Sequence, residues 1–119
     1  MNIVGIIPAR YSSSRFPGKP LVIIKGKSMI QRVYQQACKS KMLSKVFVAT
    51  DDKRIYDHVI AFGGECIMTS SKHKSGTERC SEAINKIHKL LPSKKYDVVV
   101  NIQGDEIFFH LFSKITHFF

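Results

Sequence analysis

The run Val98-Val99-Val100, set inside residues 96–102, is the strongest constraint on what this chain can become. Successive side chains of an extended strand point to opposite faces, yet none here is polar, so both faces of the sheet must be covered. Strands of that kind belong to parallel sheets with helices packed on either side. Further short, β-rich runs precede it at residues 3–7, 46–49 and 66–68. Helical patterns fill the gaps. Ser28 stands where it can cap the first, in which Ile30, Val33, Tyr34, Ala37 and Cys38 recur at helical spacing. Thr50-Asp51-Asp52 opens the second, with Ile55, Val59 and Phe62 on one face and Gly63-Gly64 suited to its end. Ser75-Gly76-Thr77-Glu78 has capping-box spacing and opens the third, with Cys80, Ala83, Ile84, Ile87 and Leu91 on one side before Pro92. The order β-α-β-α-β-α-β predicts a doubly wound, three-layer α/β domain whose mostly parallel sheet carries its post-strand loops on one edge.

Residues 8–20 read as a loop, because they hold Pro8, Pro17, Gly18, Pro20 and the serines 12–14. The loop is long for a strand-to-helix connection, and such loops carry function. Lys and Arg number 19 against 9 Asp and Glu, a formal charge of +10 that suits a polyanionic partner. The basic residues are dispersed, and no helix-turn-helix, RNA-binding aromatic signature or zinc finger is present, so nucleic acid is not the expected partner. No stretch approaches the roughly 20 apolar residues of a membrane span, and Met1-Asn2 leads straight into a strand without a secretion signal. Cys38, Cys66 and Cys80 form no CxxC pair, which argues against a disulfide framework or zinc site and for reduced thiols, used as core fillers, in a cytoplasmic protein.

Residues 107–119 are unusual: they hold Phe108, Phe109, Phe112, Phe118 and Phe119, five of the chain's 8 Phe. Ile107, Leu111 and Ile115 recur at fourfold spacing, as in an amphipathic helix.

Chemistry gathers in three places. Arg10, Arg15 and Lys19 fall within the first loop, at the carboxyl end of a parallel strand, where ligands bind in open α/β sheets. Guanidinium groups grip phosphate oxygens in pairs, Lys adds a point charge, and Gly18 lets the backbone approach a ligand. The alternative is a solvated basic loop. The segment matches neither GxxxxGK[ST] nor GxGxxG, which excludes a P-loop NTPase and a dinucleotide fold. In Asn101-Ile102-Gln103-Gly104-Asp105-Glu106, acidic groups leave a buried strand; Asp105 suits Mg²⁺, which takes one or two carboxylates plus substrate phosphate oxygens, and equally suits a helix cap. His73-Lys74-Ser75-Gly76-Thr77-Glu78-Arg79 places small polar residues at a helix start, able to bond a base or sugar, to serve as a capping box, or both.

Together, Ile7-Pro8-Ala9-Arg10, Arg15-Phe16-Pro17-Gly18-Lys19-Pro20-Leu21, Val48-Ala49-Thr50-Asp51-Asp52, Phe62-Gly63-Gly64, Met68-Thr69, His73, Ser75-Gly76-Thr77-Glu78-Arg79 and Asn101-Ile102-Gln103-Gly104-Asp105-Glu106 resemble the 3-deoxy-manno-octulosonate (Kdo) cytidylyltransferases, the CMP-Kdo synthetases of lipopolysaccharide assembly. The resemblance runs in order from Met1 to Glu106. It implies a Rossmann-like sheet of the nucleotide-diphospho-sugar transferase type, truncated here: residues 1–106 form the CTP-binding part and 107–119 a divergent Phe-rich tail.

The implied reaction joins the anomeric hydroxyl of Kdo to the α-phosphate of CTP, giving CMP-Kdo and pyrophosphate with Mg²⁺. By matched position, Arg10, Lys19 and Asp105 are the implied catalytic residues. Ala9, Arg10, Arg15, Lys19, Ser75 and Gly76 hold the nucleotide, Arg79 and Gln103 face the acidic sugar, and Asp105 binds the metal. The family follows Gly-Asp-Glu with Pro, where this chain has Ile107. The family's second half supplies another metal-binding aspartate, much of the sugar pocket and most of the homodimer surface, which implies a chain weakly active or inactive alone. Competing readings are a cytidylyltransferase for sialic or other nonulosonic acids and a non-catalytic CTP-binding remnant.

Overall fold

The computed structural model describes residues 2–12 and 17–102, and the backbone of 114–118. Its main sheet is built from β1 (Ile3–Ala9), β4 (Lys45–Thr50), β5 (Cys66–Met68), β6 (Val98–Asn101) and β7 (Lys114–Phe118) in the order β5-β4-β1-β6-β7. The first four run parallel and β7 runs antiparallel to β6. Helices α1 (Met29–Cys38), α2 (Lys53–Ala61) and α3 (Gly76–Leu90) are the crossovers, and a small hairpin, β2 (Ile23–Ile24) with β3 (Lys27–Ser28), precedes α1.

The three-layer expectation holds, and the alternation of side chains shows why. Val4, Ile6, Phe47, Ala49 and Val99 pack with Cys80, Ala83, Ile84 and Ile87 of α3. Ile7, Ala9, Val46, Val48, Val98 and Val100 pack on the opposite face with Ile30 and Val33 of α1 and Ile55 and Val59 of α2. The predicted caps are present: Ser28, Asp52 and Ser75 accept amide hydrogens of Gln31, Arg54 and Ile55, and Glu78 respectively. At the end of α2, Gly63 at φ 87° donates to Ile60 and Gly64 to Val59, the paired bonds that satisfy a helix's last carbonyls.

Four expectations change. The strand β1 continues through Pro8 and Ala9 rather than stopping at Ile7. Pro8 shares the parity of Ile6, whose carbonyl accepts from Ile102, so its donorless nitrogen turns toward β6, beyond the Ile6–Asn101 pair that ends the described register. The backbone over 114–118 is a strand, not the continuation of a helix through Ile115, because pairing with the buried β6 satisfies its amides. The β2–β3 hairpin was not anticipated; its turn is Lys25-Gly26, both at positive φ, the mirror-image turn that matches strand twist. Cys38 is exposed at the end of α1, whereas Cys66 and Cys80 are core groups whose thiols burial pushes up to about 12.

Candidate active site

The chain builds its sheet outward from β1 in one direction, through β4 to β5, then crosses by α3 to place β6 on the other side of β1. The strand order reverses between β1 and β6, and the carboxyl ends at such a reversal are where open α/β sheets bind ligands. Arg10 leaves β1 there, and Asn101 ends β6.

The first loop has a closed neck. The Gly18 amide donates to the Tyr11 carbonyl at 2.7 Å. Gly18 sits at φ 74°, and a Cβ added to it would lie 2.9 Å from the Tyr11 ring, so both backbone conformation and contact require glycine. Arg10 precedes this pair and Lys19 follows it, so positions distant in sequence flank one neck. Both side chains are exposed. Lys19 begins a 3-10 turn, Lys19–Leu21, that rests on α1 and α2.

The start of α3 packs against the ends of β1 and β6. A Cβ at Gly76 would fall 3.1 Å from Pro8 Cγ and 3.6 Å from Asn101 Nδ2, so glycine lets the helix meet both strand ends. Ser75 Oγ takes the Glu78 amide at 3.2 Å, and Glu78 reaches back to the Lys74 amide at 2.7 Å. This is a capping box displaced by one residue. The positive end of α3's peptide dipole therefore lies beside Pro8 and Asn101 at the ends of β1 and β6.

Arg79 is 3% exposed. Its guanidinium donates to Thr69 Oγ1 at 2.6 Å and to the Ser70 carbonyl at 3.1 Å, and lies 3.8 Å from Asp51 Oδ2. It thus ties α3 to the segments following β4 and β5. Glu82, one turn on, organises the rest of the β5–α3 connection: it accepts from the Ser70 amide at 2.9 Å, lies 2.6 Å from His73 Nε2, and pairs with Lys86 at 3.0 Å. Burial alone would raise its pKa, but the Ser70 amide, Lys86 and His73 outweigh that and lower the carboxyl to about 2.

Because the folded-state value lies below the ordinary 4.5, this carboxylate stabilises the fold above about pH 4.5, and the contribution disappears as pH falls toward about 2. Glu82→Gln should lower stability by about 1–2 kcal/mol at pH 7. Paired thermal melts should show the gap narrowing below pH 4.5; a gap that stays constant down to pH 2 contradicts this assignment.

Of the residues expected from sequence, Ala9 ends β1, Arg10 and Lys19 flank the loop neck, Ser75 caps and Gly76 begins α3 beside Pro8 and Asn101, and Arg79 is buried one turn further along α3. Arg15, Gln103 and Asp105 lie outside the described residues. Sequence reasoning gave no role to Tyr11 and Arg54, read Asp51 only as part of the Thr50-Asp51-Asp52 helix opening, and gave no role to Glu82. The last two resemble ordinary capping and solvent-face acids, and only contacts distant in sequence distinguish them.

The fold is a three-layer α/β domain with a mostly parallel sheet whose strand order reverses between β1 and β6. Residues 4–113 match the family model described as Cytidylyltransferase, and the chain belongs to that family. It is 58% identical over 110 residues to the 3-deoxy-manno-octulosonate cytidylyltransferase of Parabacteroides distasonis, covering 92% of this chain and 41% of the relative. It is 55% identical over 106 residues to the 8-amino-3,8-dideoxy-manno-octulosonate cytidylyltransferase of a Shewanella species, covering 89% and 42%. A solved structure of CMP:2-keto-3-deoxy-manno-octonic acid synthetase complexed with CTP superposes with a TM-score of 0.77 at 44% identity, over 93% of this chain and 43% of that one. The chain spans about two fifths of the length of the curated relatives it matches.

Proposed function

We propose that this chain forms the CTP-binding part of a cytidylyltransferase that moves CMP from CTP to 3-deoxy-manno-octulosonate, releasing pyrophosphate, as a step toward lipopolysaccharide. The observation that carries the reading is the closed neck flanked by Arg10 and Lys19 at the sheet's reversal, in a chain this similar to Kdo cytidylyltransferases. In the proposal Arg10, Arg15 and Lys19 hold the triphosphate and stabilise charge on the leaving pyrophosphate. Ala9, Ser75 and Gly76 border the nucleoside, and Gln103 faces the sugar. Arg79 is occupied by Thr69, Ser70 and Asp51, so it pairs with a sugar carboxylate only by exchanging one of them.

Among the described residues no three His, Cys, Asp or Glu side chains gather to hold a metal, and Asp105 lies outside them. The reading gives Mg²⁺ to Asp105 and the nucleotide's phosphate oxygens, a donor set that suits this ion; bound there, it would supply positive charge to the phosphates. Residues 1–106 are taken as the CTP-binding part and 107–119 as a tail, although the family match continues to 113. The reading also takes the protein to be cytoplasmic and the family's homodimer to be its assembly; no helix among the described residues is long and apolar enough to cross a membrane.

A second reading, the 8-amino sugar as acceptor, follows from the Shewanella relative. Thermal melts with CTP and Mg²⁺ test the nucleotide assignment, since a ligand that binds the folded state raises its melting temperature. At about a hundredfold excess over Kd, CTP should add about 2.7 kcal/mol, a shift of roughly 10 °C. No shift with CTP, or an equal one with every nucleoside triphosphate, counts against a cytidylyl site. Competition between Kdo and its 8-amino analogue in the same melts separates the two acceptors.

A further inference from the structure

The neck of the first loop is held from outside as well as by its own backbone bond. The guanidinium carbon of Arg54 lies 3.4 Å from the centre of the Tyr11 ring, on the ring's face. Gly18 presses the same ring closely enough that a Cβ would lie 2.9 Å from it. Arg54 is itself fixed by Asp52, through Nε to Oδ1 at 3.2 Å and Nη2 to Oδ2 at 2.9 Å, a paired geometry that orients the guanidinium plane. Asp52 in turn is anchored as the cap of α2, accepting the Arg54 and Ile55 amides. A chain of contacts thus runs from the first turn of α2 through Arg54 and Tyr11 to Gly18, and Arg10 and Lys19 are the immediate neighbours of the last two.

We propose that Arg54 and Tyr11 form a clamp that sets the spacing of the two phosphate-gripping cations, making Arg54 a positioning residue for an oligophosphate ligand. The proposal rests on the reading of Arg10 and Lys19 given above. Planar stacking on an aromatic face together with a forked bond to a carboxylate is a task for guanidinium that an ammonium performs poorly. Lysine at position 54 therefore preserves the charge near the site but not the clamp, which separates positioning from simple attraction of an anion.

The test uses the full chain, with CTP–Mg²⁺ and inorganic tripolyphosphate as probes, and with hydrogen exchange at the Gly18 amide. Arg54→Ala and Arg54→Lys should each weaken both probes about tenfold and speed Gly18 exchange by a similar factor, while exchange at Val48 in the core is unchanged. Because Arg54 acts through Lys19, Arg54→Ala should weaken binding by less than about threefold when added to Lys19→Ala. Binding of tripolyphosphate without CTP would reject the cytidine reading and leave the clamp supported if the Arg54 variants still lose that probe. Normal binding by Arg54→Lys, strictly multiplicative losses with Lys19→Ala, unchanged Gly18 exchange, or an unaltered chain that binds neither probe would each overturn the clamp.

Discussion

Arg79→Ala is expected to remove about 3–5 kcal/mol of stability and lower the melting temperature by roughly 10–20 °C. Arg79 is almost fully enclosed, so its deletion strands groups that it now satisfies: the buried Thr69 hydroxyl, the Ser70 carbonyl and the Asp51 carboxylate. A buried acceptor left without its partner loses more than an average hydrogen bond contributes. Arg79→Lys should recover only part of the loss, because one ammonium cannot reach two oxygens on one side and a carboxylate on the other. Thermal melts without nucleotide decide the matter; a variant melting within about 3 °C of the parent would show that Arg79 does not hold the fold together.

The opposite behaviour is expected where the cations are exposed. Arg10→Ala combined with Lys19→Ala should leave the melting temperature without nucleotide nearly unchanged, because substitution of exposed side chains stays within about 0.5 kcal/mol. CTP–Mg²⁺ affinity should fall by more than about a hundredfold, since each charge-assisted contact to phosphate contributes about 1.5–3 kcal/mol. Titration calorimetry of the double variant measures this directly. Affinity within about tenfold of the parent would separate these residues from the triphosphate and remove the main support for the proposed function.

The proposals thus give the guanidinium groups at positions 10 and 54 separate tasks, gripping a ligand and holding a loop neck, while that of Arg79 joins α3 to the segments after β4 and β5. Sequence distinguishes them unequally. Arg10 is legible because it follows a strand within a loop dense in Pro, Gly and cations, a local pattern with a local cause. Arg79 lies inside a recognisable motif, but its spacing on α3 places it beside Cys80 without revealing what it bonds. Arg54 has no local signature, since its significance depends on Tyr11, which reaches it only after β1 and β4 pair side by side.

Local periodicity and capping chemistry were enough to specify the helices, the parallel strands and the three-layer arrangement, because each rests on interactions within a few residues and on the faces that must be buried. The Ser28, Asp52 and Ser75 caps and the glycine end of α2 are of this kind. Tertiary structure alone decided that Pro8 and Ala9 extend β1, that residues 114–118 pair as an edge strand, and that Tyr11, Gly18 and Arg54 close one neck. Those features are contacts between segments separated along the chain, and a one-dimensional pattern carries no distance between segments until the sheet order has brought them together.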